Sequence, residues 1–239
     1  NISLSIKIMQ KKIAVFVEGQ TELIFVEHLI LEIAGYHKIS IERQQLHGGR
    51  ILQLYSTGSY HGHEKFHALI VDCSCDGKVK PAIVERKDAL IKQGYTTIIG
   101  LRDLYPDFEK KYLKKLTKSL HIPESTAGVT IKIIVAVLEI EAWFLKEWSH
   151  LSKISPLLTV EHIRDQAGVD LSAENAEDLP HPAVLLDKIY SLVGSRYKKR
   201  EKDAHRTATI LDYAALYTTV RESTPSLDLL ITQFDLFLE

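Results

Sequence analysis

KIAVFVEGQTELIFVEHLILEIAG, residues 12–35, is the stretch on which the fold turns. Ile13, Ala14, Val15, Phe16 and Val17 form an unbroken apolar run, the pattern of a strand buried on both faces. The run stops at Glu18, followed by Gly19. From Thr21 onward Leu23, Phe25, Val26, Leu29, Ile30 and Ile33 recur at helical spacing, and Gly35 can supply the left-handed residue that closes a helix. Strand, tight turn and helix open an α/β sheet, and ligands of such sheets gather beyond the carboxyl ends of the strands. Glu22 follows Glu18 by four residues, in the first turn of the helix. Two carboxylates there repel each other, so a cation is expected between them, and a divalent metal is the economical candidate. An ordinary structural role is the alternative: an acid in the first turn offsets the helix dipole, and Gly19, Gln20 or Thr21 can act as caps.

Downstream, the same alternation continues. Ile39, Ile41 and Leu46 suggest a second strand, running into a Gly- and His-rich stretch over 47–65 that is either a long loop or an irregular hairpin. Ala68 to Val71 form a buried strand ending at Asp72, and 79–94 reads as a helix with Val84, Leu90 and Ile91 toward the core. Residues 96–101 form a strand ending at Arg102 and Asp103, with Pro106 forcing the exit turn, and 108–120 reads as a Lys-rich amphipathic helix. The last strand, 129–138, runs into EIEAWFLKEW. Four or five strands alternating with helices predict a mostly parallel central sheet flanked by helices, joined by right-handed crossovers. Beyond Trp148 the strand pattern fades, and prolines punctuate helical stretches over 160–167, 183–193, 204–220 and 227–237. The expected organisation is an α/β core over 10–148 and a helical C-terminal region over 149–239 packed on it.

An apolar fraction of 45% and a charged fraction of 26% are those of an ordinary globular protein. The net charge of −1 conceals an uneven distribution. Residues 78–118 hold eleven Lys/Arg against five Asp/Glu, whereas 139–187 hold ten acids against three bases, so a basic flank lies beside an acidic pocket. That pairing suits a site that attracts a polyanion and holds a metal against it. Two cysteines, Cys73 and Cys75, are too few for a disulfide scaffold, and no apolar run is long enough to span a bilayer. The expected setting is reduced and cytoplasmic, without a membrane partner. His61, His63, His67 and the two cysteines make a poor zinc site, because Cys-x-Cys spacing does not suit one ion. Asp72 and Asp76 lack the spacing of an aspartyl-phosphate nucleophile and its acid partner. Trp143, Phe144 and Trp148 are expected in the core.

Acids close several of the strands: Glu18 with Glu22, Asp72, Asp103, and Glu139 with Glu141. Crowding like charges in one crevice is relieved by a metal, and hard oxygen donors select Mg²⁺ or Mn²⁺ over zinc. Such ions act on phosphates.

VEGQTE at 17–22, the strand ending in RDLYP at 102–106 and EIEAWF at 139–144 together resemble the Toprim fold, closest to OLD-type Toprim nucleases and their small relatives in phage-defence loci. The resemblance covers about the first 145 residues. It implies that Glu18 is a metal ligand or general acid/base, that Glu22 and Asp103 hold metal, and that Glu141, with Glu139 beside it, is the later strand-end acid. Lys198 or Lys199, in RYKKREK, would be the lysine that stabilises charge at the phosphate. The implied activity is metal-dependent hydrolysis of DNA or RNA, in a bacterial anti-phage effector working beside a separate ATPase, and self-association is open. Where the family carries D-x-D, this chain reads Asp103-Leu104-Tyr105, so the second metal position is lost or completed by Asp107 or Asp72. A non-catalytic interaction module that docks a partner is the alternative.

Overall fold

The protein is described here by a computed structural model over residues 10–35, 38–48, 50–57, 64–75, 77–123 and 128–239, with backbone alone at 54–57. Strand β1 (Lys11–Val17) lies inside the sheet, and its alternate residues serve two different cores. Ile13, Val15 and Val17 face helix α1 (Gln20–Ala34), whereas Ala14 and Phe16 face helix α2 (Val79–Lys92). Burial on both faces is why this strand reads as continuous apolar sequence instead of alternating.

The remaining strands are β2 (Ile39–His47), β3 (Arg50–Thr57), β4 (Phe66–Asp72), β5 (Tyr95–Asp103) and β6 (Thr130–Ala136). They form a six-stranded sheet in the order β3-β2-β4-β1-β5-β6. All pairings are parallel except that of β2 with β3, a hairpin that supplies the antiparallel edge. The stretch expected as a loop or hairpin is therefore a hairpin over its described part. Right-handed crossovers put helices on opposite faces when the chain moves in opposite directions along a sheet. The step from β1 to β2 puts α1 on one face, and the steps from β4 to β5 and β5 to β6 put α2 and α3 (Leu113–Leu120) on the other. Gly100 in β5 is where α2 comes closest: a Cβ there would lie 2.7 Å from Val79 and 3.0 Å from Ile83.

After β6 the chain is helical: α4 (Glu141–Lys146), α5 (Leu151–Ile154), α6 (Val160–Ala167), α7 (Pro182–Ser191), α8 (Glu201–Ile210), α9 (Tyr213–Ala215) and α10 (Pro225–Leu238). Leu186, Ile189, Tyr190, Leu230 and Phe234 join α1 and the near face of the sheet in one apolar cluster. No helix among the described residues is long and apolar enough to cross a membrane.

Some local expectations are corrected. Val84 is 47% exposed, because α2 turns Val79, Ala82, Ile83 and Leu90 inward instead. Trp148 is 41% exposed, beyond the end of α4, while Trp143 and Phe144 are fully buried. The helix expected from residue 108 begins at Leu113 after a 3₁₀ turn, since Pro106 and its neighbours leave the chain irregular there. The helix expected over 204–220 breaks at Leu211, and Asp212 caps the next turn by accepting from the Ala215 N–H at 2.9 Å.

Candidate functional site

From β1 the chain moves one way along the sheet, and from β5 it moves the other. The strand order reverses between them, and a crevice opens beyond their carboxyl ends. Glu18 follows β1, Glu22 lies in the first turn of α1, and Asp103 is the last residue of β5. The Asp103 N–H donates to Glu18 Oε2 at 3.1 Å, so the two strand ends are tied together. After β6, Leu138 takes a left-handed conformation (φ 68°) that turns the chain back toward the crevice. A β-unfavoured backbone of this kind persists only where its surroundings enforce it, and here it delivers Glu139 and Glu141.

Three carboxylates share one pattern. Asp103 Oδ1 accepts from the Ile140 N–H at 3.0 Å, Glu139 Oε2 from the Ala183 N–H at 2.9 Å, and Glu141 Oε1 from the Tyr197 hydroxyl at 2.8 Å. Each thus fixes one oxygen to the scaffold. Each turns the other oxygen to Lys199 Nζ: Asp103 Oδ2 at 3.3 Å, Glu139 Oε1 at 3.0 Å and Glu141 Oε2 at 3.2 Å. Ligand oxygens of the three acids lie within 4.8 Å of one another. Glu141 Oε2 is buried and accepts no hydrogen bond of good geometry. A cavity of about 310 Å³ lies over them, lined by Glu18, Glu22, Asp103, Tyr105, Glu139 and Lys199 among others.

The electrostatics record how crowded this place is. Burial, aided by Glu141 and Glu18, pushes the Glu22 carboxyl up to about 7 against the pull of Lys199. Burial and the neighbouring Glu22 hold Asp103 well above the ordinary carboxylate range, and burial with Glu139 raises Glu141. Burial acts to neutralise Lys199, but Glu141, Asp103, Glu139 and Glu22 together outweigh it and keep the ammonium charged. One ammonium shared by so many acids leaves them repelling one another, and burial together with that repulsion pushes the carboxyls of Glu22, Asp103 and Glu141 toward the protonated form. Hard oxygens, clustered and under-neutralised, are a donor set that can bind a divalent metal.

Of the residues singled out in the sequence, Glu18, Glu22, Asp103, Glu139 and Lys199 line this cavity, and Glu141 lies buried behind it against Lys199. Asp72 does not. It ends β4, on the far side of β1 from β5, and its carboxylate accepts from Gln20 at 2.6 Å, Gln45 at 3.2 Å and the Ser74 N–H at 2.7 Å. Lys198 turns away to Asp187 at 3.1 Å. Asp107 is bound to Arg102 at 3.2 Å, so neither it nor Asp72 replaces the acid missing at Tyr105. The cation beside Glu18 is Arg102, whose Nε lies 3.5 Å from Oε1. Tyr105 lines the cavity and meets His181 edge-on at 4.8 Å between ring centroids. Cys73 is buried, which pushes its thiol up to about 12, and Cys75 is exposed; His61, His63 and Asp76 lie outside the described residues.

Two contributors carried no sequence signal. Tyr197 supports Glu141, and Asp187 grips the segment that carries Lys199. Asp187 binds the Arg196 guanidinium at 2.9 and 2.8 Å, the Tyr197 N–H at 2.9 Å and Lys198, so residues 196 and 198 anchor outward while 197 and 199 point into the site.

No protein-family model matches the chain, and no curated protein matches it. Among solved structures it is similar, over 59% of its length, to a Lactobacillus plantarum WCFS1 protein described as a candidate cell surface hydrolase, at 15% identity and a TM-score of 0.30. The chain spans 57% of that structure, and a likeness so slight carries no functional weight.

Proposed function

We propose that this chain is a Toprim-like, metal-dependent phosphodiesterase that hydrolyses DNA or RNA, an effector of bacterial anti-phage defence working beside a separate ATPase. The supporting observation is the shared pattern of Asp103, Glu139 and Glu141: each is anchored through one oxygen and offers the other at a common point. Structural acids have no need of that arrangement. In this reading Asp103, Glu139 and Glu141 hold Mg²⁺ or Mn²⁺, with Glu22 at the same cavity. The ion, when bound, polarises a phosphoryl oxygen and makes water a stronger nucleophile.

The chain's own groups supply the rest. Glu18, held by the Asp103 N–H and flanked by Arg102, is the general acid/base at the crevice wall. Lys199 contributes positive charge to a phosphate drawn into the cavity. Exposed Lys114, Lys115 and Lys118 on α3 provide a basic approach for a polyanion.

Purified protein should cleave plasmid DNA or a structured RNA with Mn²⁺ present and lose that activity to a chelator. Asp103→Ala and Glu141→Ala should each lower the rate by about 10³-fold or more while circular dichroism stays unchanged. Undiminished cleavage by both variants, or cleavage in chelator, removes the proposal.

Tyr105 favours a second reading, a non-catalytic module that docks a partner, since a phenol stands where the family carries an acid. Titration calorimetry with Mn²⁺ separates the two, because the module should bind no ion.

A further inference from the structure

The oxygens offered at the common point already share a cation of the protein's own. Lys199 Nζ sits at 3.0 to 3.3 Å from all three, and these are the three acids whose ligand oxygens lie within 4.8 Å of one another. An ammonium and a divalent cation cannot occupy one buried cage together, because like charges repel strongly where water is scarce. Resting on the metal-centre reading above, we infer that Lys199 is an exchangeable internal counter-ion: its ammonium holds the carboxylate cage together, leaves when a divalent cation binds, and is thereby delivered to the cavity mouth.

The surroundings suit an exchange in which only one side chain moves. Asp187 clamps Arg196, the Tyr197 N–H and Lys198, so the backbone that bears Lys199 is held while its four-carbon stem remains free to swing. The Lys199 side chain is 39% exposed, which leaves a path outward. The cage does not depend on the lysine for its shape. Ile140 N–H, Ala183 N–H and the Tyr197 hydroxyl hold the far oxygens of the three acids wherever the ammonium goes. An ion that enters therefore meets donors already positioned, and the released amine lies beside them, facing whatever anion the site has drawn in. Metal loading and the presentation of a phosphate-binding lysine become one event, so the unloaded protein does not offer that lysine to phosphates.

Amine reactivity tests this on the native chain. An amine clasped by three carboxylates is a poor nucleophile, whereas a freed one acylates like a surface lysine. Brief treatment with N-hydroxysuccinimidyl acetate, followed by mass spectrometry, should show Lys199 labelling rise about tenfold on addition of Mn²⁺, with Lys188 on α7 unchanged as an internal control. In parallel, calorimetry should show Lys199→Met binding Mn²⁺ about tenfold more tightly than the unaltered chain, since the competitor is gone. Unaltered protein that binds Mn²⁺ with no rise in Lys199 labelling overturns the exchange and leaves the metal centre standing. Failure of both proteins to bind Mn²⁺ overturns the metal centre and the exchange with it.

Discussion

Two sets of buried acids in this molecule are built in opposite ways. On the helical side, Glu147 accepts from the Asp212 N–H at 3.1 Å and from the Ser149 hydroxyl, and lies 3.2 Å from His150 Nδ1. Glu177 accepts from the Ser226 N–H at 2.8 Å, in the first turn of α10. Each of these acids is met by local donors and joins two elements of the fold. At the strand ends, Glu22, Asp103, Glu139 and Glu141 crowd around a single ammonium, and burial raises the carboxyls of Glu22, Asp103 and Glu141. Asp103, Glu139 and Glu141 also accept from the scaffold, but they share one ammonium, so like charges stay crowded there. The contrast separates a bracket from a site.

Removing one acid from each set should have effects of opposite sign. Glu147→Ala strips a buried cap from Asp212 and leaves His150 without its carboxylate, which should destabilise the protein by about 3 kcal/mol. Thermal unfolding should then shift down by roughly 6–12 °C. Glu22→Gln should act with the opposite sign. A carboxyl raised to about 7 in the folded state binds its proton more tightly there than in the unfolded chain, so its contribution to stability is present below about pH 4.5 and is lost as pH rises through about 7. In chelator at pH 8 the glutamine variant should be more stable than the unaltered chain by about 1–2 kcal/mol, and the gap should close by about pH 4.5. A variant less stable than the unaltered chain at pH 8 would place Glu22 with the brackets.

The smallest effect belongs to Asp187, held well below the usual carboxylate range chiefly by the Arg196 guanidinium. A lowered folded value means stability present above about pH 4 and lost as the pH falls below it. Asp187→Asn should cost under about 1 kcal/mol at neutral pH, with the difference in chemical-denaturation midpoint shrinking from about pH 4 downward and lost only as the pH falls through the lowered folded value. Because the clamp also sets Lys199, the same variant sharpens the comparison by loosening the site while leaving Glu147 and Glu177 untouched.

Much of the architecture is legible in the sequence. The run from Ile13 to Val17 announces a strand covered on both faces, and α2 and α1 cover it. Acids at strand ends announce a crevice, and Glu18, Glu22, Asp103 and Glu139 line one, with Glu141 clustered against the last two. Asp72 shows where that logic stops. It ends a strand as the others do, but β4 lies on the far side of β1 from β5, and its carboxylate is taken up by Gln20, Gln45 and the Ser74 N–H instead of facing the other acids. Val84 shows the same limit on a smaller scale, since spacing identifies a helix more readily than the angle at which it docks.

By itself the sequence determined the alternation of strands and helices, the helical C-terminal region and the acids available to a site, because backbone periodicity and residue chemistry are written locally. Only the tertiary structure decided which of those acids converge, that Lys199 and not Lys198 stands among them, and that Tyr197 and Asp187 hold the arrangement. Those choices depend on contacts between residues as far apart in the chain as Asp103 and Lys199, whose meeting is set by the order of the strands and the packing of the helices over them.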